Sequence, residues 1–224
     1  MAPELRWRVA ILDSGLDPTA ALPVRESARF EALEPGVRCE RALDDVLGHG
    51  TRVAQIIASA ACRPELLIAQ VLDAKGLSSA AALAAAVEWA VARGAHLLHM
   101  SLGLSQDRAV LRAAVGAAVN AGALLVAACP ARGAMTYPAG YDGVLSATGD
   151  ARCQADEISL LGGGSAAFGG CVRVGSEEQA RGASIGAAHV TRFIIAHARP
   201  GGRIGELRGQ LARLAAYRGR ERRQ

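Results

Sequence analysis

Lysine is almost missing from this chain: Lys75 is the only one, and the other 24 of its 25 basic Lys and Arg residues are arginine. Aromatic residues are scarce at 4%, so the interior must be built from aliphatic side chains and close backbone approaches. No uninterrupted apolar run is long enough to span a bilayer, which excludes a membrane-spanning helix and argues against a membrane partner. The five cysteines (Cys39, Cys62, Cys129, Cys153, Cys171) are odd in number and lack metal-ligand spacing, which argues for reduced thiols rather than a disulfide framework or a zinc site. The net charge is only +4, and much of it sits in Arg218, Arg220, Arg222 and Arg223; without that tail the chain is near neutral, so a nucleic-acid partner is not expected. The tail alone could meet an acidic partner. The opening MAPELRWRVAILDSG has no long apolar run behind a basic start, so no secretory signal is read there, and the expected location is the cytoplasm.

What is present is ordinary globular composition, 51% apolar and 21% charged, over 224 residues, enough for a single domain across 1–224. Apolar runs alternate with helical patterns. Strands are expected at Arg8 to Leu12, Leu66 to Val71, His96 to Met100, Leu124 to Ala128 and Val144 to Thr148. Helices are expected at His49 to Ala61, Ser79 to Arg93 with Ser78 or Ser79 as cap, Arg108 to Ala121, and from Ser184 to about Ala198. Repeated strand–helix–strand units imply an α/β fold of three layers, a mainly parallel sheet with helices on both faces. Asp150 to Gln179 reads as loops and short strands. An Arg-rich amphipathic helix is expected at about 203–220, with Leu207, Leu211 and Leu214 on one face, either packed on the domain or docking a partner.

Three local patterns carry chemistry. Asp13-Ser14-Gly15 follows a strand directly; Gly48-His49-Gly50-Thr51 opens a helix; Gly182-Ala183-Ser184 opens another. Each alone is a common turn or helix start. Together they have a logic. A serine hydroxyl needs a base to take its proton, a histidine is that base near neutrality, and a buried carboxylate fixes the imidazole tautomer. A serine at a helix N-terminus also offers its own N–H to an oxyanion. The small residues Gly182, Ala183, Gly186 and Ala187 are expected to leave room for a substrate backbone. His96 and His99 lie three apart on a strand and so face opposite sides, which argues against joint chelation. Asp44-Asp45 reads as a solvated turn, and no metal or cofactor is expected.

These blocks, in the order Asp, His, Ser, resemble those of subtilisin-like serine proteases, the subtilases. VAILDSGLD resembles the family's aspartate block. GHGTRVAQII resembles its histidine block, with Arg52 and Gln55 as departures, and GASIGAAHV resembles its GTSMAAPHV, with Ala183, Ile185, Gly186 and Ala188 departing. His189 matches a structural histidine of that block. HMSLG, His99 to Gly103, resembles NMSLG; LLVAACPARG and TYPAGYDGVLSATG resemble the segments that follow. The resemblance implies a subtilisin-like fold and a peptidase with Asp13, His49 and Ser184 as triad. It also implies an oxyanion donor in the Ser184 N–H, and a substrate flanked by Ser101, Leu102 and Gly103 on one side and Ala127, Ala128 and Cys129 on the other, Cys129 in the pocket wall.

One departure bears on rate. The family's oxyanion asparagine is replaced by Ala131, and Asn120, the only asparagine of the chain, lies in a helix pattern, leaving Arg132 or Thr136 as substitutes. The expectation is a serine endopeptidase specialised for an intracellular processing task, such as removing a leader peptide from a dedicated precursor alongside maturation enzymes. Intracellular subtilases of that kind include the one acting on the small subunit of quinohemoprotein amine dehydrogenase. The alternatives are a weak or inactive peptide-binding subunit of a maturation complex and an esterase.

Overall fold

The computed structural model describes residues 6–162, 165–173 and 182–220. Its centre is β1 (Arg8–Asp13), an apolar strand buried on both faces, as a central parallel strand requires. On one side of β1 lie β4 (Glu65–Gln70), β2 (Val24–Leu33) and β3 (Gly36–Glu40). On the other lie β5 (Leu97–Met100), β6 (Leu124–Ala128), β7 (Val144–Gly149), β9 (Phe168–Gly170), β8 (Ile158–Leu160) and β10 (Tyr217–Arg218). Among the described residues, only the β2–β3 and β8–β9 strand pairs are antiparallel. The chain leaves β4, crosses β1 and returns as β5, so the order of strands reverses around β1, and the carboxyl ends there form the crevice where such sheets bind ligands.

Strand alternation divides the core in two. Val9 and Ile11 face the layer made by α1 (His49–Ala58), α4 (Ala183–His197) and α5 (Ile204–Leu214). Ala10 and Leu12 face the layer of α2 (Ala80–Ala92) and α3 (Ala109–Asn120). The structure is thus a three-layer α/β fold, as the strand–helix alternation implies. Ser79 caps α2, its side chain accepting from the Ala82 N–H at 3.0 Å. Among the described residues no helix is long and apolar enough to cross a membrane.

Two features differ from expectation. The β2–β3 hairpin leaves no strand signal in the sequence, because β2 buries only Ala28 and Phe30 and carries charge on both faces. The expected helix at about 203–220 ends at Leu214. It stops because the backbone beyond it is taken by the sheet: Ala216 N donates to the Ile158 carbonyl at 2.9 Å and Gly219 N to the Leu160 carbonyl at 2.8 Å. Arg152 donates to the Gly219 carbonyl at 2.7 Å and lies over the Tyr217 ring. Helix α5 packs on the body of the fold through Leu207 and Leu211, whereas Leu214 is half exposed.

Candidate active site

Asp13 ends β1 and is 1% exposed. Its Oδ1 accepts from the Ser14 N–H at 2.7 Å and meets His49 Nδ1 at 2.7 Å. His49 is the first residue of α1, and the junction that brings it to Asp13 is tightly built. The Gly50 N–H donates to Ser14 Oγ at 2.8 Å, and any side chain on Gly50 would strike the backbone oxygen of Gly15. Asp45 is more than a solvated turn. It caps α1, accepting from Gly48 N at 3.0 Å, Thr51 N at 2.8 Å and Thr51 Oγ1 at 2.7 Å. Burial would raise the Asp45 pKa, but these donors hold it below its usual value. The His49 pKa is raised, chiefly by the hydrogen bond to Asp13, against an opposing effect of burial.

Ser184 lies in the first turn of α4, where backbone N–H groups have no intrahelical partner, so its own N–H points out of the helix start. Its Oγ donates to the Ser101 carbonyl at 2.9 Å. Ser101 directly follows β5, whose Met100 is in register with Ala127 of β6, so the Ser101 to Gly103 segment and the Ala127 to Cys129 segment lie side by side. Among the described residues, Leu102 and Gly103 have no backbone hydrogen-bond partner, which leaves an open edge beside Ser184. Cys129 is fully buried in the layer of α2 and α3, so its thiol packs in the core. Ala131 is exposed and has no side-chain donor. Thr136 Oγ1 is buried, has no hydrogen-bond partner among the described residues, and stands against Gly103. Next to the start of α4 is a cleft of about 480 Å³, with Ala131, Arg132, Thr148 and Gly149 among its walls. A wider hollow of about 790 Å³ opens at Leu124 and α5, at the amino end of the sheet and away from this site.

Gly186 and Ala187 leave no room for substrate. A side chain on Gly186 would strike the Thr148 carbonyl of β7, and Ala187 is fully buried, so both serve the contact of α4 with the sheet. Gly182 and Ala183 remain at the open start of the helix. His189 meets the carbonyls of Ala155 at 3.2 Å and Arg173 at 3.1 Å, a tie between α4 and neighbouring loops. His96 accepts from the Arg8 N–H at 3.0 Å, while His99 is buried against other groups, so the two share no site. Three further residues support this region. Gln70 ties the Ser14 carbonyl (2.9 Å) to the Leu43 N–H (2.8 Å), and His99 and Thr191 are joined to each other.

The subtilase family model matches residues 7–170. The chain belongs to the subtilase family. The matched span holds Asp13 and His49 and stops short of Ser184, so the serine stands on its own block and on its position beside Ser101. Among curated relatives, this subtilase is 37% identical over 150 residues to a thermostable alkaline protease of Halalkalibacterium halodurans, covering 62% of the chain and 40% of that protein. It is 37% identical over 145 residues to Subtilisin Savinase of Lederbergia lenta, covering 60% and 52%. It is 30% identical over 151 residues to the minor extracellular protease Epr of Bacillus subtilis, covering 62% and 22%. This subtilase therefore spans about half, or less, of the length of these relatives.

Proposed function

We propose that this subtilase is a serine endopeptidase. The observation that carries the reading is the 2.7 Å pairing of buried Asp13 with His49 at the carboxyl end of β1, with Ser184 at the opening of α4 bonded to Ser101, which follows the adjacent strand β5. With Nδ1 committed to Asp13, His49 Nε2 is the basic nitrogen. It takes the Ser184 proton as Oγ bonds to the scissile carbonyl carbon, and the resulting oxyanion lies against the Ser184 N–H. Collapse breaks the C–N bond, His49 returns the proton to the leaving amine, and water, deprotonated in the same way, releases the acyl group. The edge at Leu102 and Gly103, unpaired among the described residues, suits an extended peptide added as a strand.

We infer the biological task from the replaced oxyanion residue. Without a side-chain donor at Ala131, turnover should be slow on arbitrary proteins, so the proposed role is cleavage of a leader peptide from a dedicated precursor within a maturation system. Five free thiols fit a reducing compartment, the cytoplasm. A second reading, a peptide-binding subunit with little activity, draws on the same alanine and on the Ser184 hydroxyl being engaged by Ser101.

Fluorophosphonate labelling read by intact mass separates the two. One adduct on the native chain and none on Ser184→Ala supports the peptidase. No adduct, with or without a precursor peptide, overturns it in favour of the binding subunit. Efficient cleavage of casein would count against the dedicated role.

A further inference from the structure

His99 is fully buried, and both ring nitrogens are engaged: Nδ1 with Thr191 Oγ1 at 2.8 Å and Nε2 with Ser101 Oγ at 2.7 Å. Both partners are themselves buried, Thr191 at 0% and Ser101 at 6% exposure. Thr191 follows Ser184 by seven residues on α4, which is two turns and places both on one face of the helix. Ser101 is the residue whose carbonyl receives the Ser184 hydroxyl. The contacts therefore close a circuit from Ser184 along α4 to Thr191, through the His99 ring to Ser101, and back to Ser184.

We propose that His99 is a positioning residue that clamps α4 to the end of β5 and so fixes Ser184 against the Ser101 to Gly103 edge. This rests on reading Ser184 as the nucleophile. A neutral imidazole has one donor and one acceptor nitrogen, and a hydroxyl can play either part, so the ring satisfies Ser101 and Thr191 together. Burial keeps the ring neutral by pushing its pKa down to about 4, with smaller opposed effects from Asp13 and His49. An aliphatic side chain in its place would leave two buried hydroxyls facing no partner and free α4 to shift against β5. Displacing a nucleophile by about 1 Å can cost on the order of 10²-fold in rate.

The test compares wild type with His99→Leu, His99→Asn and Thr191→Val, measuring the rate of fluorophosphonate labelling of Ser184 together with kcat and KM on a peptide. The expected result is a loss of about 10- to 100-fold in labelling rate and kcat for His99→Leu, with KM changed much less. Thr191→Val should lose in the same direction, and His99→Asn, whose amide retains a donor and an acceptor, should recover most of the loss. If His99→Leu fails to fold, Thr191→Val, which keeps the side chain's shape, decides alone. Labelling at the wild-type rate in the variants overturns the clamp while leaving the serine peptidase standing. Failure of the wild type to label overturns both.

Discussion

The hydroxyl of Ser184 is donated to the carbonyl of Ser101, 2.9 Å away, rather than to His49. Resting serine is thus parked on the substrate edge, and attack requires rotation about its Cα–Cβ bond toward the imidazole. Catalytic hydrogen bonds commonly tighten only when substrate is bound. Since the parked bond is a single neutral one, Ser184→Ala should change folding stability by only about 1 kcal/mol. The same variant should lose covalent labelling altogether. A urea unfolding midpoint far below wild type would instead mark Ser184 as a structural residue.

The Asp13–His49 pair sets the pH dependence. His49 must be neutral to accept a proton, and its pKa is raised above 6.5, chiefly by Asp13. The acid limb of kcat/KM should therefore lie above pH 6.5, with activity rising as pH increases through it. The same raised pKa contributes stability that is fully present below pH 6.5 and lost as pH rises through the folded-state value. Asp13→Asn should move the limb down and cut kcat by about 10⁴-fold, the cost of that change in a triad of like geometry on another fold. A limb unmoved in Asp13→Asn would mean that Asp13 does not set the basicity of His49.

The candidate residues of this site are marked in the sequence for local reasons. Asp13, His49 and Ser184 each sit at an element boundary, a strand end or a helix start, where short motifs and periodicity both give a signal. The bond from His99 to Thr191 spans 92 positions, and neither residue stands in a turn or cap pattern that would mark it. Gln70 is likewise an ordinary strand-end residue until its amide is seen between Ser14 and Leu43. Small residues misled in a different way. Gly186 resembles an open approach in sequence, and only packing reveals that β7 fills the space.

That packing makes a sharp prediction. Gly186→Ala would drive a methyl group into the Thr148 carbonyl, a backbone atom that cannot swing aside. Overpacking of this kind costs about 1–3 kcal/mol, and relief would come from α4 lifting off β7 and carrying Ser184 with it. Thermal unfolding should show the lower stability, and labelling of Ser184 should slow even at temperatures where the variant is folded. Wild-type values for both would refute the close contact.

The oxyanion site offers a gain-of-function test. Loss of one donor costs about 10² to 10³ in kcat, a magnitude that comes from subtilisin itself and not from this structure. Restoring the family's residue with Ala131→Asn should raise kcat by about 10-fold or more, with KM little changed. No gain would indicate that another group already fills the role. Thr136, with its hydroxyl buried beside Gly103 and unpartnered among the described residues, would then be the first to examine, through Thr136→Val.

Acid stability reports on His99 separately from catalysis. The unfolded chain protonates this histidine near pH 6.5, but the folded chain resists until about pH 4, because the ring is enclosed. Between those values the unfolded state binds the extra proton, so stability falls as pH drops. At about 1.4 kcal/mol per pH unit, the loss is on the order of 3 kcal/mol across the window. Other titrating groups add their own slopes, and the difference between wild type and His99→Asn isolates this one. Urea midpoints at pH 7, 5.5 and 4.5 should converge as the solution is acidified, with the variant's falling less. Parallel curves would mean that His99 titrates alike in the folded and unfolded chain, which an enclosed ring bonded to Thr191 and Ser101 could not do.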